Sequence, residues 1–170
     1  MERDERVAKI GAGDKAPDFV LIDSWGHVRS LAPGRETSPA LIVFFKATCP
    51  TCQLALPFLD RLFRQVEGKP IRVWGIAQED KVDAHRFAVD FQITFPLVLD
   101  IKPYRASASF GITHVPIVYL IEPDGRISRG IEGFVKREYA ELALELGRRL
   151  GVGPIELFPP GERAPELQPG

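Results

Sequence analysis

The sequence predicts an α/β fold, a central mixed β-sheet flanked by helices with an N-terminal β-hairpin and a βαβ insertion, and two observations predict it. Three short apolar runs, at 41–45, 71–76 and 117–121, are continuous rather than alternating and rich in β-branched and aromatic residues. That is the pattern of strands buried on both faces. Between the first two runs, Leu54, Phe58, Leu62 and Val66 recur at helical steps, while Asp60, Arg61, Arg64 and Glu67 fall on the other side. A strand, a helix and a strand in this order imply parallel pairing with a right-handed crossover.

The elements follow in order. Residues 19–22 and 28–31 form a small N-terminal hairpin around Ser24-Trp25-Gly26-His27, with Trp25 covering an apolar patch. The strand at 41–45 runs into the helix that carries Leu54 to Val66, for which Gly68 is a natural stop. Trp74 belongs to the next buried strand. Asp80 then caps a helix whose Ala84, Phe87, Ala88 and Phe91 keep the 3.6-residue period. Residues 95–99 make a short strand, and Pro103 opens a short helix that ends before Gly111. Residues 117–121, a Glu122-Pro123-Asp124-Gly125 turn and residues 126–131 form a hairpin with Asp-Gly at its tip. A last helix turns Tyr139, Leu142, Ala143, Leu146 and Leu150 inward and carries Arg148 and Arg149 in its final turn. The predicted order is β-α-β-α-β-α-β-β-α.

Residues 1–150 read as one domain. Residues 151–170 hold five prolines and four glycines and show no period, so they read as an extended or mobile C-terminal tail. Within it, Ile155, Leu157 and Phe158 are the residues able to dock.

A net charge of −1, from 22 basic and 23 acidic residues without long blocks, supplies no field to hold nucleic acid or an anionic membrane. The charged start, residues 1–6, leads into no apolar segment, and no run of about 18 apolar residues occurs. The expectation is a cytoplasmic protein. The only two cysteines are Cys49 and Cys52, in Cys49-Pro50-Thr51-Cys52. A reducing cytosol disfavours a persistent structural disulfide, and zinc would need more ligands than one cysteine pair and the scattered His27, His85 and His114 offer. No metal and no organic cofactor are therefore expected, and the pair reads as a redox dithiol. It stands where the first buried strand gives way to its helix, where free N–H groups and the helix dipole favour thiolate at Cys49; Cys52 lies about one turn inside.

With these residues placed, the chain resembles the thioredoxin superfamily, and within it the TlpA/redoxin branch of thiol-disulfide oxidoreductases. The resemblance spans roughly residues 11–150. It rests on the opening Gly13-Asp14-Lys15-Ala16-Pro17-Asp18-Phe19, the strand running into Cys49-Pro50-Thr51-Cys52, and Pro57 eight residues after the first cysteine. It continues through Phe95-Pro96-Leu97-Val98-Leu99-Asp100, the segment from Phe110 to Pro116 and that from Tyr119 to Ile127. The resemblance implies a thioredoxin-like fold, with Cys49 as exposed nucleophile, Cys52 as resolving thiol, and Pro116 as a cis-proline facing them. In that family the backbone before the proline, here Val115, pairs with substrate. Thr48 and Val43 depart from the thioredoxin pattern, which has a tryptophan before the first cysteine and a buried carboxylate six residues before it. Glu79 is the candidate replacement proton acceptor, as in cytochrome-maturation members of the branch, and Lys46 could bias the Cys49 thiol by its charge.

The expected activity is disulfide exchange between the dithiol and a protein or small-molecule disulfide or dithiol, with an external electron donor or acceptor and no nucleic acid or membrane as partner. Two alternatives stand beside it. One is a peroxiredoxin-like peroxidase, whose Pro-x-x-x-Thr-x-x-Cys loop fails in both registers, because Ile42 and Lys46, or Phe45 and Cys49, occupy the required positions. The other is a non-catalytic redox sensor or binding module on the same fold.

Overall fold

The computed structural model describes residues 9–170; the charged segment 1–6 lies outside them. Nine strands and four helices follow in the order β1 (Val20–Asp23), β2 (Val28–Ser30), β3 (Ala40–Phe45), α1 (Pro50–Val66), β4 (Arg72–Ala77), α2 (Lys81–Phe91), β5 (Leu97–Leu99), α3 (Arg105–Ser109), β6 (Ile117–Ile121), β7 (Ile127–Glu132), β8 (Phe134–Val135), α4 (Lys136–Arg149) and β9 (Leu167–Gln168) among these residues. Seven strands form one mixed sheet in the order β2-β1-β5-β4-β3-β6-β7. The three apolar runs are its centre: β3 pairs parallel with β4 and antiparallel with β6, and all six residues of β3 are buried. The fold is thioredoxin-like, as expected.

Helices cover both faces, so each face has its own apolar layer. On one side Val43, Phe45, Cys52, Leu56, Leu59, Phe87, Tyr139 and Leu146 pack between the sheet and α1, α2 and α4. On the other, Phe44, Trp74, Phe110 and Tyr119 pack beneath α3 and the N-terminal segment. Alternation along β3 sends Val43 and Phe45 to one layer and Ile42 and Phe44 to the other. Each such side chain contributes roughly 1.5–3 kcal/mol on burial.

Several details depart from the sequence reading. The N-terminal hairpin adds to the main sheet through β1 and β5, with Ile22 opposite Leu99, and Trp25 at its tip is 54% exposed rather than a cover. Its turn is held by the buried Asp23 carboxylate, which accepts N–H groups from Trp25, His27 and the Arg29 side chain. The short helix α3 opens at Arg105 instead of Pro103, because Asp100 accepts the backbone N–H groups of Ala106 and Ser107 and so satisfies the first turn from outside it. Two short strands, β8 and β9, were not foreseen, and they pair with each other.

The largest correction concerns the tail. Ile155 and Leu157 are buried, Phe158 packs tilted against Phe58 with ring centroids 4.8 Å apart and lies edge-on to Phe134, and Arg61 holds both the Leu157 carbonyl and the Glu162 carboxylate. At its root the chain folds so tightly back on α4 that any side chain at Gly147 would meet the Gly153 carbonyl. The three apolar residues supply the burial that composition alone concealed.

Candidate active site

The dithiol sits where the sheet hands the chain to α1. β3 ends at Phe45, and the loop 46–48 is held from three directions. The Lys46 carbonyl accepts the Cys49 N–H at 3.2 Å, the Gln53 amide donates to the Ala47 carbonyl at 2.8 Å, and the Glu79 carboxylate accepts the Ala47 N–H at 2.8 Å. Cys49 has extended backbone angles and serves as the N-cap of α1, its sulfur accepting the Cys52 N–H at 3.3 Å, with Pro50 at the first helical position. A sulfur that takes this place receives one of the free N–H groups of the helix end.

The two thiols have different surroundings. Cys49 is partly exposed and Pro50 is exposed, whereas Cys52 is fully buried against the apolar layer behind α1. Burial pushes the Cys52 thiol well above its ordinary value; the hydrogen bond to Cys49 and the charges of Cys49 and Glu79 act in the same direction, and a backbone hydrogen bond at Lys46 opposes them. Val43, where thioredoxins bury a carboxylate, is buried and apolar here.

Glu79 lies just beyond β4 and faces the back of the Cys49 loop. Its Oε1 is the atom bonded to Ala47, while its Oε2 is buried with no partner among the described residues. Burial raises its carboxyl above the ordinary carboxylate value, the Ala47 N–H and Lys46 acting against that shift and Asp83 and Asp80 adding to it. A cavity of about 410 Å³ opens beside it, lined among others by Ala47, Thr48, Gln53, Phe87 and Phe91. Lys46 contributes its backbone to the loop and leaves its side chain exposed.

Across the site, the Val115–Pro116 peptide bond is cis, and the Val115 carbonyl lies 3.6 Å from the Cys49 sulfur, which donates to it. Pro116 is buried and Val115 half-buried. His114 is exposed, its Nδ1 2.9 Å from Thr113 Oγ1. Cys49, Cys52, Glu79, Val115 and the backbone of Lys46 are thus brought together. Sequence reasoning missed Thr51, which is only 4% exposed although it lies between the two cysteines, and the residues that cover it, Gln168 and Pro169. The one signal for them was the apolar trio in the tail, which could have shown that the tail docks but not where it ends. Among the described residues, no three His, Cys, Asp or Glu side chains converge as metal ligands.

A family model described as AhpC/TSA family matches residues 12–129. The chain belongs to the AhpC/TSA family. The thiol-disulfide oxidoreductase ResA of Geobacillus kaustophilus is 28% identical over 137 residues, covering 80% of this chain and 78% of that protein. Among solved structures, the thioredoxin domain of a thiol-disulfide oxidoreductase from Bacteroides vulgatus superposes with a TM-score of 0.70 at 19% identity, covering 84% of this chain and 99% of that one. The peroxidoxin BcpB from Mycobacterium tuberculosis superposes with a TM-score of 0.68 at 22% identity, covering 83% and 98%. At these identities the structural likenesses establish the fold of this family member.

The comparisons also overturn the cytoplasmic expectation, because the ResA, DsbE and DsbF proteins similar to this chain are extracytoplasmic thiol oxidoreductases. The expectation rested on the charged residues 1–6, which say nothing about where the folded domain works. Among the described residues, no helix is long and apolar enough to cross a membrane. With a reducing cytosol no longer available as an argument, the dithiol reading rests on geometry. A Cys-x-x-Cys bridge closes too short a loop to restrict the unfolded chain much, so it is poorly suited to a purely structural role.

Proposed function

We propose that this chain is a thiol-disulfide oxidoreductase that exchanges disulfides through Cys49 and Cys52. The observation that carries the reading is the asymmetry of the pair: a partly exposed cysteine at a helix N-terminus, its sulfur beside a peptide carbonyl, and a buried thiol one turn behind it. Cys49, as thiolate, attacks one sulfur of a substrate disulfide, forming a mixed disulfide and releasing the other sulfur as thiolate. Cys52 then gives its proton to the Glu79 carboxylate and attacks the Cys49 sulfur, which breaks the mixed disulfide and releases the second substrate thiolate. Two electrons pass from the dithiol to the substrate, and an external dithiol returns them. Run backwards, the same steps oxidise a dithiol.

Glu79 suits the role of acceptor because its free oxygen has no competing partner and its raised carboxyl sits closer to neutral working pH than an ordinary one. Val115 and Pro116 fit the role of substrate contacts, the Val115 carbonyl lying 3.6 Å from the Cys49 sulfur. Lys46 fits as an exposed cation at the mouth of the site. The substrate is a protein or small-molecule disulfide. The peroxidase alternative is not favoured, because Lys46 stands where its loop needs threonine and Ile42 where it needs proline.

The test separates the cysteines. Cys49→Ser is expected to abolish reaction with a disulfide substrate, while Cys52→Ser reacts once and accumulates a covalent adduct visible by non-reducing mass spectrometry. Trapping by Cys49→Ser alone would reverse the roles, and trapping by neither would leave the sensor or binding module as the reading.

A further inference from the structure

The tail does more than pack. After Phe158 it crosses α1, where Arg61 grips it. It then reaches β8, where the Glu166 carbonyl accepts the Lys136 N–H at 3.0 Å and β9 pairs antiparallel with β8 in the register Phe134 to Gln168 and Val135 to Leu167. From there it passes over the dithiol motif. The Gln168 side chain donates to Thr51 Oγ1 at 2.9 Å, and Thr51 Oγ1 donates to the Pro169 carbonyl at 2.7 Å. Gly170 arrives against the carbonyl of Val115, so closely that any side chain at this position would collide with it. The close passage also requires glycine at 133, where φ is +68° and a Cβ would stand 2.8 Å from the Gln168 carbonyl.

At Gly170 the chain's own backbone thus comes up against the Val115 carbonyl, the group that the proposed oxidoreductase reading assigns to substrate. We propose that Leu167–Gly170 is an internal occupant of the peptide-binding edge and selects substrates by size. An extended peptide disulfide must displace this strand to lay its backbone beside Val115, in the manner of strand addition to an open edge. A small disulfide needs only Cys49, a residue that stays partly exposed with the tail in place. The proposal rests on the disulfide-exchange reading and adds the substrate class to it. Seating costs a peptide substrate affinity in proportion to the fraction of molecules whose edge is free.

The experiment compares two substrates: a twelve-residue peptide with a disulfide at mid-chain, and bis(2-hydroxyethyl) disulfide. Single-turnover rates are measured for the full chain, for a chain lacking residues 167–170, and for Gly170→Val, which changes that one residue of the tail. Both variants are expected to react about tenfold faster with the peptide, the gain for an edge free about a tenth of the time, and within about twofold of the parent with the small disulfide. A synthetic Ala164–Gly170 peptide added to the truncated chain should slow the peptide reaction and spare the small one. Unchanged peptide rates in both variants, or equal gains on both substrates, overturn the proposal while leaving disulfide exchange intact. Failure of the parent chain to react with the small disulfide overturns the oxidoreductase reading and the proposal with it.

Discussion

Replacing Glu79 by glutamine deletes one charge and one proton acceptor and very little packing. The Oε1 contact to the Ala47 N–H at 2.8 Å survives in the amide, so the loop before Cys49 keeps its support; what disappears is the buried, unpartnered Oε2. The first step, attack by Cys49, should be unchanged. The resolving step should slow by roughly 10²-fold, the low end of what a positioned base contributes, because water in the adjoining cavity of about 410 Å³ can act as a poorer acceptor. Quenched-flow mass spectrometry reads this as a mixed disulfide that persists in the variant and is transient in the parent. The Cys52 titration should move down, since the Glu79 charge is among the influences that raise it, but should stay above the ordinary thiol value because burial is the larger cause. Stability supplies an independent check of sign. The Glu79 carboxyl is raised in the folded state, so its contribution is fully present below its unfolded value of 4.5 and is lost as pH rises through the folded value. Measured by urea unfolding, the parent should therefore lose ground to Glu79→Gln as pH rises above about 4.5 and then hold a constant difference. Equal resolving rates and unchanged thiol titrations from about pH 5 to 9 would refute the assignment.

Two further predictions follow from buried groups. The Cys52 thiol, raised above its unfolded value of 9.0, contributes stability that is fully present below that value and is lost at higher pH; the reduced protein should lose about 1 kcal/mol between pH 9 and 10 relative to Cys52→Ser, as read by urea unfolding, and an equal slope in both proteins would show the thiol to be accessible. Asp60, 2% exposed on α1, accepts the Thr94 N–H and hydroxyl, the Phe95 N–H and the Arg64 guanidinium. Asp60→Ala should cost about 1–3 kcal/mol in denaturant unfolding by leaving the buried Phe95 N–H without a partner and removing the bonds to Thr94 and Arg64, and a loss below about 1 kcal/mol would mean that water replaces the carboxylate.

The sequence by itself determined the frame. Continuous apolar runs marked β3, β4 and β6 because those strands are buried on both faces, and helical periodicity marked α1, α2 and α4 because each buries one face only. The position of Cys49-Pro50-Thr51-Cys52 between β3 and α1 is also local, so the unequal burial of the two thiols was legible from spacing alone. The order of further motifs placed Val115-Pro116 opposite by resemblance. What needed the tertiary structure are contacts whose partners are remote in the chain: Glu79 bonded to Ala47, the Asp60 carboxylate reaching Thr94, and above all Pro169 and Gly170 lying over Thr51 and Val115. Each depends on where the sheet brings two segments together, and no periodicity encodes that. The tail is the sharpest case. Its prolines and glycines carry no repeating pattern, and its docking comes from Ile155, Leu157 and Phe158 finding the apolar surface that α1, β8 and α4 create only once they are assembled.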